Sequence, residues 1–407
     1  MELSLKPAKG GEGIKLEKKR IWSIRMKRIE LGTVVAEFRP DEKKGNPRNS
    51  EGAFLTLADG NIIFAFSKFR GENNADWAPS DICMVISKDG GMTFGEERVV
   101  VDYQEEESVN VMSVSLMHMD NGDIGMFYLV RKTYTIIQMY LRRSKDGGVT
   151  WGERVLCTPQ ESFFVVNNDR VVRLLSGRIL IPAASHRSGR DWNAEKAECP
   201  GHGNGERENT FFDSRSEVVF FYSDDDGVTW HMSEGKCSMP NMANCFSGLQ
   251  EPGVLELNPW VLWGFARTDL GRQYEMYSID NGNKWTMAEP SRFTAPNSPL
   301  SMKRDTDSDD IYAVWNPVPE YNGREKVTDI FTGGRTPYVI AVSRDNGRTF
   351  TEGIAFEWEE DRGYCYCAMH FTKDALLLGY NAGGTEDKSC LARTRIRRIP
   401  REELANL

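Results

Sequence analysis

Short runs of alternating apolar and polar residues, broken by tight turns, fill the chain from about residue 50 to its end. Six segments stand out: FLTLADGNIIFAFS, SLMHMDNGDIGMFYL, VVRLLSGRILIPAA, VLELNPWVLWGFA, DDIYAVW and HFTKDALLLGYNA. Alternation around Asp-Gly, Asn-Gly or Ser-Gly is the pattern of a β-hairpin, so these predict six inner hairpins. A second pattern, Ser-x-Asp-x-Gly-x-x-aromatic, recurs out of phase with the first. It appears as SKDGGMTF from Ser87, SKDGGVTW from Ser144, SDDDGVTW from Ser223, SIDNGNKW from Ser278 and SRDNGRTF from Ser343. Each copy follows an apolar run such as DICMVI, VVFFY or YVIAV, which reads as a strand. In such a turn the Asp accepts backbone N–H groups, the Gly supplies a positive φ, and the aromatic tucks beneath the hairpin. Two hairpins make one four-stranded sheet, and six sheets stacked radially predict an all-β, six-bladed β-propeller with Asp-box hairpins.

The sixth unit lacks the Asp motif. Its outer strands are expected from CLARTRIRRI near the C-terminus and IWSIRMKRIELGTVVAEF near the N-terminus, so both ends close one ring. Residues 1–407 then form a single domain, with about the first 20 residues as a flexible segment. The stretch from about Ser188 to Ser216 reads as a loop over one face.

Composition narrows the function. Hydrophobic residues make up 40% of the 407 and aromatics 11%, with 37 glycines, which is globular and turn-rich. A net charge of −9 argues against nucleic-acid or anionic-membrane partners. The leading MELSLKPAKGGEGIKLEKKR lacks the apolar core of a secretory signal, so a cytoplasmic address is expected, a secreted mature form being the alternative. Eight cysteines without CxxC or Cys/His zinc spacing read as reduced, buried thiols, and no metal or cofactor is expected.

In a propeller the leading ends of the inner strands converge on one channel. Counting back from each inner turn gives Ser50 and Glu51, then Asn110, then Asn168, Asp169 and Arg170. Gln250 and Glu251, Asn297 and Ser298, and Tyr364 and Tyr366 complete the ring. The second strands end near the same rim with Lys68, Arg70, Arg131, Lys132, His186, Arg187, Arg267, Asn316 and Asn381. Polar groups there need partners or a ligand, and a cationic rim on an acidic protein points to an anionic small molecule.

Over nearly its whole length the sequence resembles the sialidase (neuraminidase) superfamily. SGLQEPGVLEL and WGFARTDLG carry a Glu opening one inner strand and an Arg closing the next, at Glu251 and Arg267. The run from WNP at Asn316 through GGRTPYVIAVSRDNGRTF to GYCYCAMHF supplies Arg335 and Tyr366. NADWAPSDICMVISKDGG offers Asp76, or Asp81, before the first Asp box. The resemblance implies a tyrosine nucleophile (Tyr366, or Tyr364 two residues away), Glu251 as its base and Asp76 as acid/base. It also implies Arg267 and Arg335 on a substrate carboxylate; position around the channel, and not the resemblance, adds Glu51, Arg70, Asp169, Arg170, His186 and Tyr364 as further candidate substrate contacts. A tyrosine suits a sugar whose own carboxylate would repel a carboxylate nucleophile. One departure stands out: the family's Arg-Ile-Pro is replaced by Ser50-Glu51-Gly52, with Arg48 just upstream. The implied activity is an exo-acting, retaining hydrolase of terminal acidic sugars, sialic acid first and then other ulosonic or uronic acids. The alternatives are another glycan-active enzyme, including a lyase, or a non-catalytic glycan-binding propeller.

Overall fold

All five Asp motifs fold alike in the computed structural model of the protein, which describes residues 26–190, 210–239, 244–317 and 333–407. The serine hydroxyl donates to the aspartate and accepts from the glycine N–H four residues on. Both distances are 2.8 Å at Ser87, Asp89 and Gly91, and 2.8 and 2.7 Å at Ser223, Asp225 and Gly227. Threonine hydroxyl and backbone N–H bonds to Asp89, Asp146, Asp225 and Asp345 hold these carboxyls down at about 2. Their whole bonding capacity goes into the turn, so they are structural groups.

Each motif joins the third and fourth strands of a sheet. Blade one runs Asn49–Thr56, Ile62–Phe69, Ser80–Ser87 and Arg98–Val101, all antiparallel. The inner strands of blades two, four and five are Asn110–His118, Gln250–Asn258 and Ser301–Arg304. Blade six consists of Cys365–Phe371, Ala375–Asn381, Thr394–Pro400 and Thr33–Phe38, so early and late segments of the chain pair in one sheet. The inner strands of blades one and two, four and five, and five and six pack beside one another, and the sixth returns to the first. Apolar side chains fill the wedges between blades; Phe54, Phe64 and Phe66 of blade one meet Ala368, Leu377 and Ile396 of blade six.

Blade three departs from the regular plan. Asn167, Asn168 and left-handed Asp169 (φ 55°) interrupt its inner edge, leaving only Val172–Arg173 as inner strand. Phe163–Val165 pairs with Ile179–Arg190 and, through Phe163, in parallel with Ile137 of blade two, which fuses the two blades into one nine-stranded sheet. The loop expected over 188–216 is shorter than its composition suggests. Ile179–Arg190 and Thr210–Ser223 continue as a paired hairpin, with Ser188 opposite Phe212 and Arg190 opposite Thr210. The rest of that loop, and the first 20 residues, lie outside the described residues. Seven described cysteines are free and buried.

Candidate active site

Strand direction puts the chemistry on one face. Inner strands start, and second strands end, at the rim opposite the Asp boxes, and the loops between second and third strands return to it. Glu51, Glu251 and Tyr366 start or precede inner strands, Arg131 and Arg267 end second strands, and Asp76 and Arg335 lie in the returning loops.

A repeated backbone irregularity aims the inner residues. Pairing slips between Ser50 and Ala53, Met112 and Ser115, Gln250 and Gly253, and Cys365 and Ala368. Within those bulges Glu51, Ser113, Glu251 and Tyr366 take φ of 57°, 59°, 45° and 57°. Left-handed backbone is unfavourable for such residues and persists where surrounding structure enforces it, commonly at functional sites. Asn168 Nδ2 helps enforce it by donating to the carbonyls of Gly52 (2.7 Å) and Tyr366 (3.2 Å). Beside Glu51, Gly52 leaves room for the Phe64 ring, which a Cβ would meet at 2.2 Å.

The result is a pocket of about 350 Å³ lined by Glu51, Asp76, Arg131, Glu251, Arg267, Arg335 and Tyr366, with an apolar wall that includes Phe163 and Phe212. Tyr366 Oη donates to Glu251 Oε1 at 2.9 Å. Arg267 Nη1 donates to Glu251 Oε2 at 2.8 Å and lies 3.4 Å from Tyr366 Oη, while its Nε donates to Asn297 Oδ1 at 2.5 Å. The Arg335 guanidinium lies 5.4 Å from the Tyr366 ring centre and contacts Cys365 Sγ at 3.2 Å. Burial acts to raise the Glu251 carboxyl, but Arg267 and Arg335 outweigh it and hold the group below the usual carboxylate range. Burial and the facing Glu251 push the Tyr366 hydroxyl well above its ordinary value. The pair is therefore an ionised base hydrogen-bonded to a protonated phenol, the arrangement in which a base activates a nucleophile.

On the other wall Arg48 serves two carboxyls. Its guanidinium, 1% exposed, donates to Asp76 Oδ1 at 2.6 Å and to Glu51 Oε1 at 3.3 Å, and stacks on Phe69. It does not line the pocket, so it does not stand in for the missing family arginine. Asp76 opens into the pocket with 61% of its side chain exposed, and Arg48, Arg131 and Arg335 together outweigh desolvation to lower its pKa. Glu51 is 6% exposed and accepts from Ser113 Oγ at 3.1 Å. Burial, opposed by Arg48, pushes its carboxyl up to about 7.

That shift has a consequence for stability. A carboxyl that holds its proton more tightly folded than unfolded stabilises the fold below its unfolded pKa of 4.5 and loses that contribution as pH rises through 7. Urea unfolding across this window is expected to show wild-type stability falling relative to Glu51→Gln by on the order of 3 kcal/mol. Parallel curves for the two proteins contradict the shift.

Several residues expected at the site lie elsewhere. Tyr364 is fully buried and stacks on Tyr338 at 6.2 Å and 13°, because the bulge at Tyr366 breaks the alternation that would place both rings on one side. Arg70 bonds Asp81 and borders a separate groove between blades one and six, so neither belongs to the pocket. Asp169 has the left-handed backbone of the site residues, but its carboxylate receives Lys303 Nζ at 3.0 Å and the Met369 N–H at 3.0 Å, a strut across the channel. Arg170 is buried against Phe265 at 5.3 Å and also lies off the pocket lining. His186 does line it: Nδ1 donates to the Asp213 carbonyl at 3.0 Å, the ring stacks on Phe212, and burial lowers its pKa. The count along the strands missed Ser113, choosing Asn110, whose amide instead holds the Asp76 and Ala78 carbonyls at 2.7 and 3.0 Å. The bulge register it shares with Glu51, visible only in the structure, is what brings it to the pocket.

Comparison with known proteins agrees with the fold. A family model described as "BNR repeat-like domain" matches residues 104–378. Sialidase-4 of Mus musculus is 26% identical over 215 residues, covering 46% of this chain and 40% of that protein. The chain thus spans well under half of the curated relative it matches. Among solved structures, the Hadza microbial sialidase Hz136 superposes with a TM-score of 0.65 at 16% identity, over 91% of this chain and 68% of that one. Trypanosoma rangeli sialidase bound to the inhibitor DANA gives 0.64 at 14%, over 93% and 60%. A protein of unknown function from Dyadobacter fermentans gives 0.62 at 17%, over 91% and 100%. With the family model covering most of the propeller, the chain belongs to the BNR repeat-like domain family of the sialidase superfamily.

Proposed function

We propose that the protein is an exo-acting, retaining glycoside hydrolase that removes a terminal acidic sugar: sialic acid, or another ulosonic or uronic acid. The observation that carries this reading is the 2.9 Å bond from Tyr366 Oη to Glu251, set between Arg267 and Arg335. The sugar carboxylate engages the two guanidiniums, whose fork geometry matches it. Glu251 takes the Tyr366 proton as the phenolic oxygen bonds to the anomeric carbon; the glycosidic C–O bond breaks and Asp76 protonates the departing oxygen. Asp76 then takes a proton from water, the new hydroxyl displaces the tyrosine, and Glu251 returns the proton to Tyr366.

Asp76 starts ionised, because Arg48, Arg131 and Arg335 hold it so. A substrate carboxylate at Arg335 weakens that hold and raises its proton affinity, so Asp76 takes a proton from solvent as the substrate binds and then has one to give to the departing oxygen. Glu51 in place of a third arginine favours an acid sugar other than sialic acid as a second reading, since it adds a carboxyl where the family has a cation.

The test is turnover of aryl α-sialosides beside aryl uronides, with the first-formed product followed by NMR. Release of an acid sugar with retained anomeric configuration is expected. An inverted product removes the tyrosine mechanism, and no turnover on any acidic glycoside removes the hydrolase reading.

A further inference from the structure

Arg131 ends the second strand of blade two, and the residue is 5% exposed. Its Nε and Nη1 are buried and donate to no group among the described residues. The guanidinium borders the pocket beside Met112, Leu129, Ile137 and Phe163, lying 5.2 Å from the Phe163 ring centre. Asp76, the carboxylate nearest in charge, is already bonded to Arg48. Burial pushes the Arg131 pKa down to about 10, so it stays cationic at neutral pH.

Folded proteins keep buried donors paired, and a desolvated cation with open N–H groups is costly to maintain. A planar or tetrahedral oxyanion in the pocket sets a formal negative charge against the guanidinium where it lines the wall, adding to the partial compensation from Asp76, which an apolar or hydroxyl substituent does not. The charge around the pocket has room for it. Arg48, Arg131, Arg267 and Arg335 face Glu51, Asp76 and Glu251, and once Glu51 holds its proton the cations exceed the carboxylates by two.

We propose that Arg131 seats a second oxyanion of the ligand, a sulfate ester or a further carboxylate, on the blade-two wall of the pocket, apart from the acid group at Arg267 and Arg335. The proposal rests on the acidic-sugar reading of the same pocket and adds a specificity determinant to it.

The test uses the whole protein and Arg131→Met, which keeps an unbranched side chain against Phe163. Thermal melts with inorganic sulfate come first. The variant is expected to melt no lower than wild type, because an unpaired buried cation has been removed, and sulfate should raise the wild-type midpoint more than the variant's. Calorimetric titration with glucuronate, sulfated glucuronate and glucarate then reads the sugar. The sulfated or the dicarboxylate sugar should bind wild type at least about tenfold tighter than glucuronate, and Arg131→Met should abolish that margin. Which of the two shows the margin identifies the source of the oxyanion. Equal sulfate protection of both proteins, or a margin that survives in Arg131→Met, overturns the proposal. Absence of binding by any acid sugar counts against the acidic-sugar reading, while the sulfate melts still test the Arg131 seat.

Discussion

Tyr366→Phe is expected to lower turnover on the best acidic glycoside by on the order of 10³-fold or more, while the protein folds and binds the sugar normally. The substitution removes one oxygen and keeps the ring beside Arg335. Glu251 remains paired with Arg267 at 2.8 Å, so no buried charge is stranded and the melting temperature should hardly move. Tyr364→Phe is the matched control. That ring lies between blades five and six, with its hydroxyl 3.5 Å from Glu359, and its loss should leave turnover intact. Rate assays and melts on the two variants check this directly; equal loss in both would show that the aromatic pair acts structurally.

Glu357→Leu should cost about 3–5 kcal/mol of stability in a denaturant titration without altering the pocket. Glu357 ends the outer strand of blade five and is 5% exposed. Its carboxylate receives Arg395 at 3.1 Å, Arg397 at 2.9 Å and the Tyr380 hydroxyl at 2.5 Å, all from blade six. Arg395 also reaches Glu37 on the N-terminal strand at 2.7 Å. One carboxylate therefore ties blade five to the sheet that closes the ring. Removing it leaves buried cations without their shared partner, which costs more than the loss of a surface pair. A change under about 1 kcal/mol would mean that water replaces the carboxylate and that the closure does not depend on it.

The fold was legible because it repeats. Five Asp motifs in phase set the blade register, and the apolar strand preceding each one left little choice of sheet. Glu251, Arg267 and Tyr366 were legible for the same reason, since register converts strand ends into neighbours around the channel, whereas Arg335, in a loop, rested on the resemblance to the family. The bulges were not legible, because a one-residue slip leaves no mark in an alternating pattern, and it reverses which side chains face the pocket. That is why Tyr364 looked equivalent to Tyr366, and why Asn110 was chosen over Ser113. Arg70 and Asp169 show a second limit: a charged residue at a strand end can be consumed by a partner on another strand, Asp81 for one and Lys303 for the other. Arg131 is the converse. The sequence placed it on a cationic rim, but only the packing shows that its Nε and Nη1 find no hydrogen-bond acceptor among the described residues.

On the proposed mechanism the Tyr366 hydroxyl oxygen is the nucleophile that carries the sugar. The measurement is to incubate this protein with 2,3-difluorosialic acid, or with the fluorinated analogue of whichever acid sugar it turns over, and map the adduct by peptide mass spectrometry. The account predicts one sugar per chain, carried on the peptide containing Tyr366 and absent in Tyr366→Phe. A sugar mapped to Glu251, Asp76 or Glu51, or an active protein that forms no adduct, would contradict it.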